Sequence, residues 1–144
     1  MSYYKYVVFT LLFVWFPTLA DVTYFSCKTD KGNVILKENN KKIEYNFFNQ
    51  NGDVFRFNAP PVKFTYSHYY RFQADYFDVS FFNGKYKYSI FSNFEDGNYS
   101  KGVNVQNIDN KKEYSFLCNV TEVDHLSDLS EKLKCDTNSA LGCG

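Results

Sequence analysis

Residues 77 to 90 read FDVSFFNGKYKYSI, and this stretch decides the fold class. Phe77, Val79 and Phe81 alternate with Asp78 and Ser80. After Asn83 and Gly84 the alternation resumes, with Tyr86, Tyr88 and Ile90 set against Lys87 and Ser89. A period of two marks a half-buried β-strand. Asn-Gly between two such runs signals a hairpin, because both residues tolerate the positive φ that strand twist demands of a two-residue turn. With Asn83 and Gly84 as the connection, Phe81 faces Tyr86, Val79 faces Tyr88 and Phe77 faces Ile90. Ser80 then faces Lys87 and Asp78 faces Ser89, so all the apolar pairs share one face.

Outward from this hairpin the same grammar repeats. Runs rich in Tyr, Phe, Val and Ile alternate with short Asn, Asp, Gly and Lys clusters, giving strand candidates at 22–28, 33–38, 41–48, 53–58, 69–74, 76–82, 85–92, 102–107 and 112–118. Short connections of this kind suit an antiparallel meander rather than βαβ units. Ile43, Tyr45 and Phe47 fall on one face of their strand, as do Phe55 with Phe57, Phe25 with Cys27, and Tyr114 with Phe116 and Cys118. The expectation is an all-β fold, a small antiparallel β-barrel or β-sandwich of about eight strands. Past Cys118, Leu126, Leu129 and Leu133 recur at helical spacing behind Asp124 as N-cap, which predicts a short C-terminal helix over residues 124–134.

The first 20 residues carry a single charge, Lys5, followed by the uncharged run YVVFTLLFVWFPTLA from Tyr6 to Ala20. That run is shorter than the ~20 apolar residues a bilayer core requires. Thr18 and Ala20 place small side chains where a signal peptidase cuts. The reading is a cleaved signal peptide at 1–20, an antiparallel β domain at 21–119 and a C-terminal segment at 120–144, secreted or periplasmic, with no membrane anchor after cleavage. Cleavage leaves 15 of the 16 Lys and Arg against 16 Asp and Glu, a net charge of −1. Interspersed charge near neutrality lacks the clustered positive field that nucleic acid or an anionic membrane surface requires.

All four cysteines, Cys27, Cys118, Cys135 and Cys143, lie beyond the leader, and an even count in an exported chain reads as two disulfides. Three connectivities are open. Cys27 and Cys118 sit on inward faces of the first and last strand candidates, and CDTNSALGC makes a short turn-rich loop, which favours Cys27 with Cys118 and Cys135 with Cys143. No CxxC pair occurs and neither histidine lies near a cysteine, so no metal and no cofactor is expected.

Catalytic motifs are missing from the sequence. His68 and His125 stand outside any nucleophile motif, no GxSxG occurs, and DKGN and EDGN are turns rather than phosphate-cradling loops. Asp75 and Asp78 read as solvated strand positions. The expectation is a protein that is not an enzyme. One segment departs from plain alternation: PPVKFTYSHYYR, Pro60 to Arg71, where Tyr66, His68, Tyr69, Tyr70 and Arg71 gather the residue types that anchor interfaces. Two glycosylation triplets also occur, at Asn98 and Asn119.

FSC at 25–27, YSIF at 88–91, GVNV at 102–105 and FLC at 116–118 resemble small exported bacterial β proteins. More loosely they resemble the periplasmic inhibitors of c-type lysozyme, small β-barrels whose early and late cysteines are bonded. The resemblance implies an exported binder, an inhibitor or an immunity protein against a secreted toxin or hydrolase, with a protein as partner. The alternatives are a carbohydrate-binding module that offers exposed Tyr to a glycan, and a structural envelope protein.

Overall fold

The computed structural model describes residues 12–17 and 20–144. Most of the leader expected at 1–20 therefore lies outside the described residues. Ten strands follow: β1 (Val22–Thr29), β2 (Gly32–Asn39), β3 (Lys42–Asn49), β4 (Val54–Ala59), β5 (Phe64–Arg71), β6 (Ala74–Asn83), β7 (Tyr86–Glu95), β8 (Asn98–Asn107), β9 (Glu113–Asp124) and the two-residue β10 (Lys134–Cys135). They form one sheet in the order β10-β5-β6-β7-β8-β9-β1-β2-β3-β4. From β5 round to β4 the neighbours are antiparallel, and only β10 runs parallel, against β5.

A closed barrel would require β4 to pair with β5 or with β10 beyond it, and it pairs with neither. The chain between β4 and β5 is Pro60 and a 3-10 turn, Pro61–Lys63. Proline has no N–H to donate to a ladder, so two in succession take the chain out of the sheet. The result lies between the two expected architectures, a curled half-barrel with a seam at β4.

The curl is produced by β9. Its first half pairs with β8, from Gln106 with Glu113 to Gly102 with Leu117. Its second half pairs with β1, from Thr29 with Cys118 to Phe25 with Asp124, through two irregularities in register. A strand that leaves one partner for another bends the sheet, and bulges supply the bend. Two features fix the switch point. The Cys27–Cys118 disulfide joins β1 to β9 there, with Cα atoms 5.7 Å apart. Gly102 lets the two backbones approach, since a Cβ at that position would collide with the Phe116 carbonyl oxygen.

Curling brings inner-face aromatics of the two halves together. Phe64, Phe81, Tyr88, Val105 and Tyr114 form a cross-strand row over β5 to β9. Strand β4 lies along that row: Phe57 stacks on Phe81 at 4.3 Å between centroids, and Phe55 stacks on Tyr88 at 5.2 Å. Tyr45 of β3 packs against both Phe81 and Tyr88. Burial pushes the Tyr45 phenol well above its ordinary value. Phe25, Val34, Leu36, Ile43, Val79, Ile90 and Val103 complete the core.

Several expectations are corrected. The sheet has ten strands rather than about eight. The β6–β7 turn is Gly84–Lys85, with Asn83 paired to Tyr86, Phe81 to Tyr88 and Val79 to Ile90. Only Gly84 takes a positive φ, 60°, as a turn with glycine at its first central position requires, so Asn83 stays in the strand. Each pair moves by two residues, and because the side-chain period is also two, the apolar face is preserved. The strand expected at 69–74 is β5, ending at Arg71, with the chain reversing at Phe72 and Gln73.

The expected C-terminal helix over 124–134 is a 3-10 helix confined to Leu126–Glu131. Asp124 instead ends β9. Its Oδ2 accepts hydrogen bonds from Ser92 at 2.6 Å and from Lys101 Nζ at 2.7 Å, which hold the chain extended. Leu126, Leu129 and Leu133 are buried as the spacing implied: Leu126 and Leu129, three apart, share a face of the 3-10 helix, and Leu133 follows through a bond from its N–H to the Leu129 carbonyl, 2.9 Å. Lys132 Nζ reaches Glu38 Oε2 at 2.6 Å, and Tyr24 donates to the same oxygen at 2.8 Å, fastening this segment to β1 and β2.

Candidate functional site

The β5–β6 and β7–β8 turns lie side by side, joined by a hydrogen bond from the Asp96 N–H to the Gln73 carbonyl, 3.0 Å. Around them the chain places large aromatic side chains in solvent. Phe72 is 87% exposed, Tyr99 71% and Tyr70 68%. Phe94 packs on Tyr99 at 5.0 Å, and Lys101 Nζ lies 5.1 Å from the Tyr99 ring centroid. On the other face of the hairpin Tyr69 stacks on Tyr76 at 5.8 Å, with the Arg71 guanidinium 5.6 Å from the Tyr69 ring centroid. A hydrogen bond to Glu95 raises the Tyr76 phenol above its ordinary value. A hollow of about 490 Å³ lies beside Tyr76 over the β7–β8 turn, lined also by Asn93, Glu95, Asp96, Asn98, Tyr99 and Ser100.

The five residues singled out in the sequence separate along β5. Tyr69, Tyr70 and Arg71 belong to this aromatic end. Tyr66 stacks on Phe77, with planes 7° apart, and packs against the core. His68 is half-buried between them, its Nε2 2.8 Å from Asp75 Oδ1. The outer backbone edge of β5 is covered by the C-terminal segment. His68 N–H donates to the Gly142 carbonyl at 2.8 Å, and the N–H groups of Asp136 and Gly144 donate to the carbonyls of Tyr66 and His68. The Cys135–Cys143 disulfide closes that segment.

Phe72, Tyr76, Phe94 and Tyr99 were missed. Phe72 and Gln73 are not turn formers, so nothing local marked the reversal that exposes Phe72. Gln73 holds a positive φ of 62° with neither glycine nor asparagine chemistry to announce it. Phe94 and Tyr99 flank Glu95-Asp96-Gly97-Asn98, which was recognised as a turn, yet the tie between two turns is a tertiary fact.

Asp78 also departs from its sequence reading as a solvated position. It faces Ser67 and Ser80 beneath the C-terminal segment, and burial raises its carboxyl above the ordinary range against the pull of Lys87. Lys87 is shared with Asp136, 3.4 Å away. Asp124 shows the reverse balance: burial opposes its charge, but the bonds from Lys101 and Ser92 outweigh it and hold the carboxyl below its usual range. The Ser92 hydroxyl thus engages Asp124 while the imidazole of His68 engages Asp75. Among the described residues, no three His, Cys, Asp or Glu side chains converge as metal ligands would.

At the opposite end of the half-barrel the aromatic row runs on past β4. Phe55 covers Tyr88, whereas Val105 is only half-buried and Tyr114 is largely open, with Lys112 Nζ 5.2 Å from its ring centroid. An apolar cavity of about 280 Å³ opens there, walled by Tyr45 and Phe47 of β3, Phe55 of β4, and Phe116 of β9.

No family model, curated protein or solved structure matches the chain. The two disulfides are consistent with an oxidising, extracellular or periplasmic environment.

Proposed function

We propose that this is an exported, non-enzymatic protein that binds a protein partner through the aromatic end formed by the β5–β6 and β7–β8 turns, acting as an inhibitor or immunity protein against a secreted toxin or hydrolase. The leader at residues 1–20, cleaved after Ala20, belongs to the same proposal. The observation that carries it is the exposure of Phe72, Tyr70 and Tyr99 on two turns that are hydrogen-bonded to each other. Large apolar side chains fully in solvent cost solubility. Gathered on a rigid scaffold beside Arg71, they match the aromatic and Arg anchors that dominate protein interfaces. Little ordering entropy is lost when such an end docks.

The test is affinity capture with the oxidised mature chain, followed by activity assays on whatever toxin or hydrolase is retained. The expected outcome is one such partner, inhibited by the protein, whose capture is lost when Tyr70 and Phe72 are both changed to Ser while the melting temperature holds. Equal capture by that double variant would sink the proposal.

A second reading has its own observation. The hollow beside Tyr76 offers that ring next to Asn93, Asn98 and Asp96, the side-chain types that hold a sugar. On this reading a glycan array gives hits that Asn93→Ala removes. An array without hits eliminates it.

A further inference from the structure

The apolar cavity between β3, β4 and β7 to β9 has one polar feature that packing alone does not account for. Six of its seven walls are aromatic and the seventh is Val105; three of the rings are phenols. Those phenols stand in different surroundings. Tyr114 is at the open rim beneath Lys112, and Tyr88 is half-buried. Tyr45 is only 2% exposed.

Tyr45 lies in the middle of β3, laddered between Leu36 of β2 and Phe57 of β4. Its ring is held by Phe81 at 5.3 Å, Tyr88 at 5.8 Å and Phe55 at 6.0 Å between centroids. A buried phenol ordinarily finds a hydrogen-bond partner, because a hydroxyl taken out of water without one costs free energy. Among the described residues the Tyr45 hydroxyl has none, and burial, with the Tyr88 phenol nearby, raises it well above its ordinary value. Yet no wholly enclosed side-chain polar atom among the described residues lacks a partner. The Tyr45 oxygen is therefore not sealed in protein, and the space that its residue lines is this cavity. Held protonated by its surroundings, the hydroxyl is a standing donor there.

Size and lining then select the occupant. The cavity measures about 280 Å³. An apolar cavity of ~150 Å³ holds one benzene, so this one has room for roughly two rings. Aromatic walls favour an aromatic occupant through offset and edge-on contacts. A single inward donor asks for a single acceptor. That acceptor is neutral, because no Lys or Arg lines the cavity and a carboxylate buried without a cation costs far more than a carbonyl that receives a hydrogen bond.

We infer that this cavity is a binding site for a small neutral aromatic molecule of about two fused rings, with one acceptor oxygen bonded by the Tyr45 hydroxyl. None of its walls belongs to the β5–β6 or β7–β8 turns, so the site stands or falls independently of the function proposed above.

The experiment titrates the oxidised mature protein with 2-acetylnaphthalene and with 2-isopropylnaphthalene, which has the same shape without the carbonyl. Binding is followed by the Val105 methyl signals in carbon-proton NMR. Both probes are expected to shift Val105 saturably and to show contacts from naphthyl protons to its methyl groups. Tyr45→Phe keeps the ring and removes the hydroxyl. It should weaken the ketone about fivefold or more and leave the hydrocarbon unchanged. Val105→Phe adds a ring to the cavity and should weaken both probes. Should Tyr45→Phe fail to fold, the carbonyl stretch of the bound ketone reads the same contact in the parent protein, lying lower than in an apolar solvent if the hydroxyl donates to it. Three results overturn the inference: no saturable shift at Val105 with either probe, ketone binding that is indifferent to Tyr45→Phe or has an unshifted stretch, and tighter binding of 2-naphthoate that Lys112→Ala abolishes. The last would give the polar contact to the rim lysine and make the ligand an anion.

Discussion

Two residues show how single side chains set the constraints on this fold. Gly102 sits in β8 where β9 leaves it for β1, and any side chain there meets the Phe116 carbonyl. Gly102→Ala must push two bonded strands apart, so a loss of about 2–3 kcal/mol is expected, well above an ordinary strand substitution, measured as a lower urea midpoint at unchanged slope. Asp78 makes the opposite case. Its carboxyl is raised in the folded state by burial, and Lys87, Ser67 and Ser80 recover only part of the cost, while the nearby Asp136 adds to it. A carboxyl raised above its unfolded value favours the folded state when protonated, and that contribution is lost as pH rises through the raised value. Ionised Asp78 therefore weakens the protein at neutral pH. Asn at this position still accepts from the serines without the charge, so Asp78→Asn should gain up to about 1 kcal/mol at neutral pH. The gain should shrink as pH falls through the raised value and be gone once pH is below the ordinary aspartate range, followed by urea titrations across pH. A variant less stable at neutral pH would show that the attraction to Lys87 outweighs desolvation.

At the scale of elements the C-terminal segment acts as a strap along the β5 edge. Its disulfide closes a loop with a sequence separation of 8, for which chain entropy gives about 2–3 kcal/mol. Changing Cys135 and Cys143 to Ser should lower stability by about that amount. Hydrogen exchange should accelerate at the His68 amide, which donates to Gly142, and not at Ile90 in the centre of the sheet. Unchanged protection at His68 would mean that β10 and its hydrogen bonds hold the strap unaided. This element also shows what a sequence discloses. The cysteine pairing was legible because Cys27 and Cys118 alternate onto inward faces and the other two enclose a turn-rich loop. The hairpin faces were legible because a slip of two residues, the one made at Gly84, leaves a period-two pattern intact. The end of β5 was not legible, because Phe72 and Gln73 reverse the chain without turn chemistry and Tyr69 to Ala74 alternates plausibly straight through. The C-terminal helix was misjudged for a related reason: Leu126 and Leu129, three apart, fit a 3-10 helix as well as an α-helix, and the anchor that keeps Asp124 in β9 comes from Ser92 and Lys101, far away in sequence. The cavity and the aromatic end were hidden more deeply, since each depends on which strands cross.

For the whole molecule the decisive contact is β9 with β1. Strands β1 to β4 form one meander and β5 to β9 another. Among the described residues their strands pair only there, extended by the bond from the His125 N–H to the Tyr24 carbonyl, and there Cys27–Cys118 spans a sequence separation of 91. Loss of this disulfide is worth about 4–5 kcal/mol in the chain-entropy account, a large part of the ~5–15 kcal/mol that a domain typically has. Hydrogen bonding alone would let the two meanders separate into independent units once the link is cut. The packing argues otherwise: Phe57 on Phe81, Phe55 on Tyr88 and Tyr45 on both make one core from the two halves, and neither meander buries its inner face without the other. Changing Cys27 and Cys118 to Ala should therefore shift unfolding to much lower urea while keeping it a single transition. Tyrosine fluorescence, which reports the aromatic row, and far-ultraviolet circular dichroism, which reports the ladders, should then trace the same curve. If fluorescence changed well before the ladders melted, the aromatic row would be a contact between two separately stable sheets, and the cavity at its open end would be a cleft between them rather than part of one core.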